Sequence, residues 1–122
     1  MPQISIGQDT KMTSGLVLAY QALSGTYTLT STSGPTGGFD YAIGCNSSTA
    51  TTTINLPTTS ENGMENGRMY YIFDKDGNAG TNNITIDAQS GGDIVGSQTY
   101  VIDSSRNSVT LMCIADKTWV II

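Results

Sequence analysis

The sequence predicts an all-β domain, a small antiparallel sandwich or barrel of short strands, and three observations carry that expectation. Thr, Ser, Asn and Gly are abundant while charged residues make up only 12% of the chain, about half the usual share. Thr is β-branched, and Gly and Asn tolerate positive φ, so the mix favours strands joined by tight turns. Strand-like runs also recur along the chain with turn residues between them, the rhythm of sandwiches and small barrels. No stretch outside 16–23 invites a helix.

A chain of 122 residues fits one domain with a radius of gyration of about 14 Å. Two parts are expected: an N-terminal arm or attachment segment over 1–24, and a β domain over 25–122. In the arm, Ile4 and Ile6 alternate as in a short strand. The run Leu16-Val17-Leu18-Ala19-Tyr20-Gln21-Ala22-Leu23 is short enough to be a buried strand or a two-turn helix; without a strong cap it leans to strand.

Tyr27-Thr28-Leu29-Thr30 alternates and ends in the longest loop signal of the chain, Ser31 to Gly38,. Tyr41-Ala42-Ile43 makes another short strand. Thr51 to Leu56 alternates with Ile54 and Leu56 inward, and Pro57 stops it. Glu61-Asn62-Gly63-Met64 and Glu65-Asn66-Gly67-Arg68 form a tandem repeat with two Asn-Gly turn signals,, read as a surface loop extended by duplication. Further strands are expected at Ile84–Ile86, Thr99–Ile102, Ser108–Ile114 and Thr118–Ile122.

The run Met69-Tyr70-Tyr71-Ile72-Phe73 is the unusual one. Side chains alternate along a strand, so Met69, Tyr71 and Phe73 share one face while Tyr70 and Ile72 share the other, and both faces are apolar. A strand of that kind needs cover on both sides, which a second copy of the chain can supply. In the last strand Trp119 and Ile121 share one face, Val120 and Ile122 the other, again apolar on both. Met69, Tyr71, Phe73, Trp119 and Ile121 are therefore the expected contacts with a neighbouring subunit.

Net charge is −5, and the five basic residues, Lys11, Arg68, Lys75, Arg106 and Lys117, are scattered. Nucleic-acid binding needs a clustered basic surface, so that class is set aside. No run of about 18 apolar residues exists to span a membrane as a helix. Met1-Pro2-Gln3-Ile4 has neither the basic region nor the long apolar region of a secretory signal.

No chemistry stands out. The chain has no His, which removes Ser-His-Asp and Cys-His arrangements and leaves zinc without a ligand set. Cys45 and Cys113 sit in strand-like runs and read as buried reduced thiols, with a disulfide the lesser alternative. Asp74-Lys75-Asp76-Gly77-Asn78 looks like the start of a calcium loop, but Ala79 stands at the sixth position and Thr85 at the twelfth, where an EF-hand needs Gly and Glu. A polar turn between strands is the preferred reading. No metal, cofactor or catalytic residue is expected, and no enzyme.

Several pieces in order do suggest a family: Ala50 to Pro57, Gly67-Arg68-Met69-Tyr70, Asp74 to Ala79, Thr81-Asn82-Asn83-Ile84-Thr85-Ile86, Gly91-Gly92-Asp93-Ile94, Tyr100-Val101-Ile102, Ser108-Val109-Thr110-Leu111 and Trp119. Over about residues 40–122 they resemble a β-rich module of tailed-bacteriophage structural proteins, found in tail fibres, head fibres and capsid decoration proteins. The arm lies outside that resemblance. It implies a trimeric, noncatalytic protein of the virion, assembled in the host cytoplasm. Two functions follow from it. One is capsid decoration (cement) or a short head fibre, bound to the major capsid or another virion protein. The alternative is a tail-fibre or receptor-binding tip that contacts a host-surface glycan. A fibre needs a shaft, and no heptads, collagen triplets or long repeats supply one, which favours decoration.

Overall fold

The computed structural model describes residues 17–35 and 37–122. Ten strands form there: β1 (Tyr20–Leu23), β2 (Thr26–Thr28), β3 (Ala42–Cys45), β4 (Thr52–Asn55), β5 (Met69–Asp74), β6 (Ile84–Asp87), β7 (Asp93–Ile94), β8 (Thr99–Ile102), β9 (Ser108–Ala115) and β10 (Thr118–Ile121). No α-helix occurs among the described residues. The ambiguous run at 16–23 yields β1, a strand paired to β3, so the end of the expected arm is part of a sheet. The short strand expected at Ile4 lies outside the described residues.

Two sheets form, a six-stranded one in the order β1-β3-β5-β9-β10-β7 and a four-stranded one in the order β2-β4-β6-β8. Both are mixed, which corrects the antiparallel expectation. β1–β3, β3–β5, β2–β4, β4–β6 and β7–β10 run parallel, whereas β5–β9, β9–β10 and β6–β8 run antiparallel. The cause is topological. From β1 to β8 the chain changes sheet with every strand, so it returns to a sheet only after a pass through the other one. Parallel neighbours need a connection of about a dozen residues or more, and the opposite sheet provides it. β1–β2, β3–β4 and β5–β6 are thus three rungs of a flattened coil, closed at the β5–β6 end by β9 and β8.

The core lies between the sheets. Along β5 the even residues Tyr70, Ile72 and Asp74 are buried and the odd ones half-buried. Ile43, Ile72, Val109, Leu111 and Trp119 of the larger sheet belong to one buried cluster with Ile54, Ile84, Ile86 and Ile102 of the smaller. Cys45 and Cys113 are both free and buried within it. Burial, with the charge of Asp74 adding, pushes the Cys45 thiol up to about 12, so it behaves as a small apolar group.

The duplicated loop divides its labour. Its first copy holds a 3-10 turn, Ser60–Asn62, capped by the Thr59 hydroxyl and closed by Gly63 at φ 104°. Met64 then packs against the core, and its sulfur accepts the Lys117 backbone N–H at 3.1 Å. In the second copy the Arg68 guanidinium lies 3.9 Å from the centre of the Phe39 ring. The loop is therefore a surface segment with one internal anchor.

Candidate assembly face

The outward side of the six-stranded sheet is built from three rows of side chains set by strand register. Tyr20, Ala42, Tyr71 and Thr110 form one row. Ala22, Gly44, Phe73 and Ser108 form the next. Met69, Met112 and Val120 form the third. Aliphatic and aromatic groups thus occupy most of a surface that no other element of the chain covers among the described residues.

Three aromatic rings make the centre of that face. Tyr71 and Phe73 stack at 5.1 Å between centroids, and Phe73 stacks on Tyr20 at 6.2 Å. Gly44 allows this closure. A Cβ there would stand 2.8 Å from the Tyr20 Oη and 3.1 Å from Phe73 Cζ, so a bare backbone lets both rings lie over β3. Tyr20 remains 44% exposed, and an open groove beside it is lined by Leu18, Pro35 and Phe39.

The five residues expected to meet a neighbour do not share one face. Met69, Tyr71 and Phe73 lie together on the outward side and are half-buried. Trp119 pairs with Cys113 and Ile121 with Leu111, both inward positions. Trp119 is 0% exposed in the single chain, with Tyr70 at 5.7 Å, and has no surface to offer a partner. Ile121 is an inner-side residue at the rim, 40% exposed. The β10 residue that joins the β5 face is Val120, opposite Met112, which is opposite Met69. That Val120, Met112 and Tyr20 share the outward face with Met69, Tyr71 and Phe73 was not readable from the sequence, because strand alternation gives the faces of one strand but not which faces align between strands.

The acidic turn after β5 has a different use. Asp74 is 3% exposed. Its Oδ1 accepts the backbone N–H of Gly77 at 3.0 Å and of Asn78 at 3.2 Å, and its Oδ2 that of Ala79 at 3.0 Å and of Arg106 at 2.9 Å. Burial raises its pKa, but the four donors outweigh it and hold the carboxyl below the usual value,. The carboxylate ties the β5–β6 turn to the β8–β9 turn. Among the described residues no cluster of three or more acidic or thiol groups is placed to hold a metal ion. Asp40 is the opposite case: it is 3% exposed, and burial raises its pKa despite a hydrogen bond with Ser33. With its amide turned towards them, Gln21 donates to Asp40 Oδ2 at 2.8 Å and to the Ser33 carbonyl.

Fold and face together define an all-β two-sheet structural module. Over residues 3–122 the chain matches the family described as Bacteriophage T4 gp9/10-like protein, N-terminal, and it belongs to that family. It is accordingly a structural protein of a phage virion. The match covers the arm as well, so residues 3–24 are family sequence and not an addition to it. No curated protein matches the chain.

Proposed function

We propose that the protein is a non-enzymatic homotrimer that decorates the phage capsid, as a cement or short head-fibre protein, with the outward face of its six-stranded sheet turned to neighbouring copies. One observation carries this reading: the stacked Tyr20, Phe73 and Tyr71 rings, flanked by Met69, Met112 and Val120, form an apolar face left half-exposed by a single chain. Monomeric proteins seldom expose contiguous apolar patches of more than a few hundred Å². A standard specific interface buries on the order of 1,600 Å² in total, and each subunit is expected to exceed that when both neighbours are counted. The trimer then binds the major capsid or another virion protein.

Light scattering of the purified protein tests the assembly, and particle binding tests the attachment. The unaltered protein is expected to be a trimer that binds phage particles lacking it, while Tyr71→Ser/Phe73→Ser dissociates. A stable, well-folded monomer at micromolar concentration would sink the trimer. Binding to a host-surface glycan without binding to particles would replace decoration by a fibre-tip role.

A further inference from the structure

The duplicated Glu-Asn-Gly before β5 places one chemistry in two settings. Where Asn precedes Gly, the Gly backbone nitrogen can attack the Asn side-chain amide, because no Cβ on the Gly crowds the approach. In a folded chain two conditions set the rate. The Gly N–H has to meet solvent base, and the Asn has to turn until its Cγ meets the nitrogen. Both need local opening of whatever holds the segment.

The first copy is held from several sides. Asn62 ends a 3-10 turn that the Thr59 hydroxyl caps. The Gly63 N–H donates to the Ser60 carbonyl at 3.1 Å, its own carbonyl accepts from Arg68 Nε at 3.0 Å, and the residue is buried. Phe39 seals it: a Cβ on Gly63 would stand 2.6 Å from Cε1 of that ring. The second copy is open. Asn66 and Gly67 are both exposed, and a Cβ on Gly67 would meet nothing within 4 Å among the described residues. The Arg68 N–H donates to the Glu65 carbonyl at 3.0 Å and the Gly67 N–H to the Cys113 carbonyl at 2.8 Å. The Gly67 bond lies past the end of the β5–β9 ladder, which starts at Met69 and Met112, and such ends open first. The ion pair across the turn, Arg68 to Glu65 at 2.7 Å with the Glu65 side chain 60% exposed, adds little hold.

We propose that Asn66 is a site of spontaneous covalent modification, deamidation through a succinimide, and that the fold protects Asn62 from the same reaction. Gly67 N, its proton taken by hydroxide, bonds to Asn66 Cγ. The Cγ–Nδ2 bond breaks, and Nδ2 leaves as ammonia with a proton drawn from water. Water then opens the ring at either carbonyl. Opening at Cγ gives aspartate; opening at the Asn66 main-chain carbon gives isoaspartate, whose backbone runs through Cβ and Cγ. Water is the only co-reactant. Either product sets a new carboxylate beside the Glu65–Arg68 pair at the entry to β5, and isoaspartate also lengthens the chain there.

Ageing the full-length protein in mildly alkaline buffer tests this. Cleavage after Glu61 and Glu65 puts the two sites on separate peptides, whose masses report conversion at each. Asn66 is expected to convert about tenfold faster than Asn62 or more, the ratio for a difference of about 1.4 kcal/mol in opening free energy. In urea the two rates should converge, since both sites share the Glu-Asn-Gly context. Equal rates in the native protein, a faster Asn62, or an Asn66 that stays intact while both sites convert in urea would each overturn the proposal. Charge gives a second readout. The first acidic species to form on ageing, read by ion exchange, should vanish in Asn66→Gln, where the ring would be larger, and persist in Asn62→Gln. Its persistence in Asn66→Gln would also overturn the assignment.

Discussion

Two buried carboxylates pull the pH dependence of stability in opposite directions. The folded pKa of Asp74 is lowered, so its contribution is present above the unfolded value of about 3.9 and is lost as pH falls through the folded value. The folded pKa of Asp40 is raised, so its ionisation works against the fold, and stability declines as pH rises through that value. Asp74→Asn is expected to lower stability at pH 7 by roughly 3 kcal/mol, because an amide cannot accept from all four donors, and to flatten the loss below pH 4. Asp40→Asn should instead remove the decline on the neutral side. Urea titrations across pH 2.5–7.5 check both, and an Asp74→Asn protein with unchanged midpoint would refute the first. At the centre of the core, Trp119→Ala leaves a cavity against Tyr70 and should cost about 3–5 kcal/mol. A loss within about 0.5 kcal/mol would place the ring at the surface.

Among the strands, β3 separates the roles of core and face. Gly44 is an extended residue whose missing side chain matters only to the Tyr20 and Phe73 rings. A β-branched residue suits a strand, so Gly44→Val should leave melting nearly unchanged while splaying both rings and weakening association between copies. If the variant melts normally and assembles as well as the parent, the aromatic cluster is not the contact. The faces of β5 were legible in the sequence because alternation is a property of one strand, and Tyr70 and Ile72 fell inward together as expected. The parallel pairing was not legible, since alternation is the same in either direction. The long loop from Ser31 to Gly38 carried a signal of it, because a hairpin needs only a few residues and this connection is far longer. The inward placement of Trp119 was not legible for a related reason: both faces of β10 are apolar, and register alone decides which turns inward.

For the whole molecule, strict alternation between the sheets from β1 to β8 has a kinetic consequence. Among the described residues only β9 and β10 are partners adjacent in sequence; every other pairing there waits for a loop that runs through the opposite sheet. Beyond that hairpin neither sheet can grow alone, because each rung of one is the connection of the other. Long-range pairing of this kind places refolding in the slow, millisecond-to-second regime, and the two sheets should gain and lose structure in one transition. Coincident far-UV and near-UV melting curves with slow single-phase refolding would bear this out, whereas two separated transitions would contradict it. A domain interleaved in this way cannot shed one sheet and keep the other, so local damage does not propagate by peeling. Its failure is all or none, a useful property in a virion component that has to survive long exposure outside a cell.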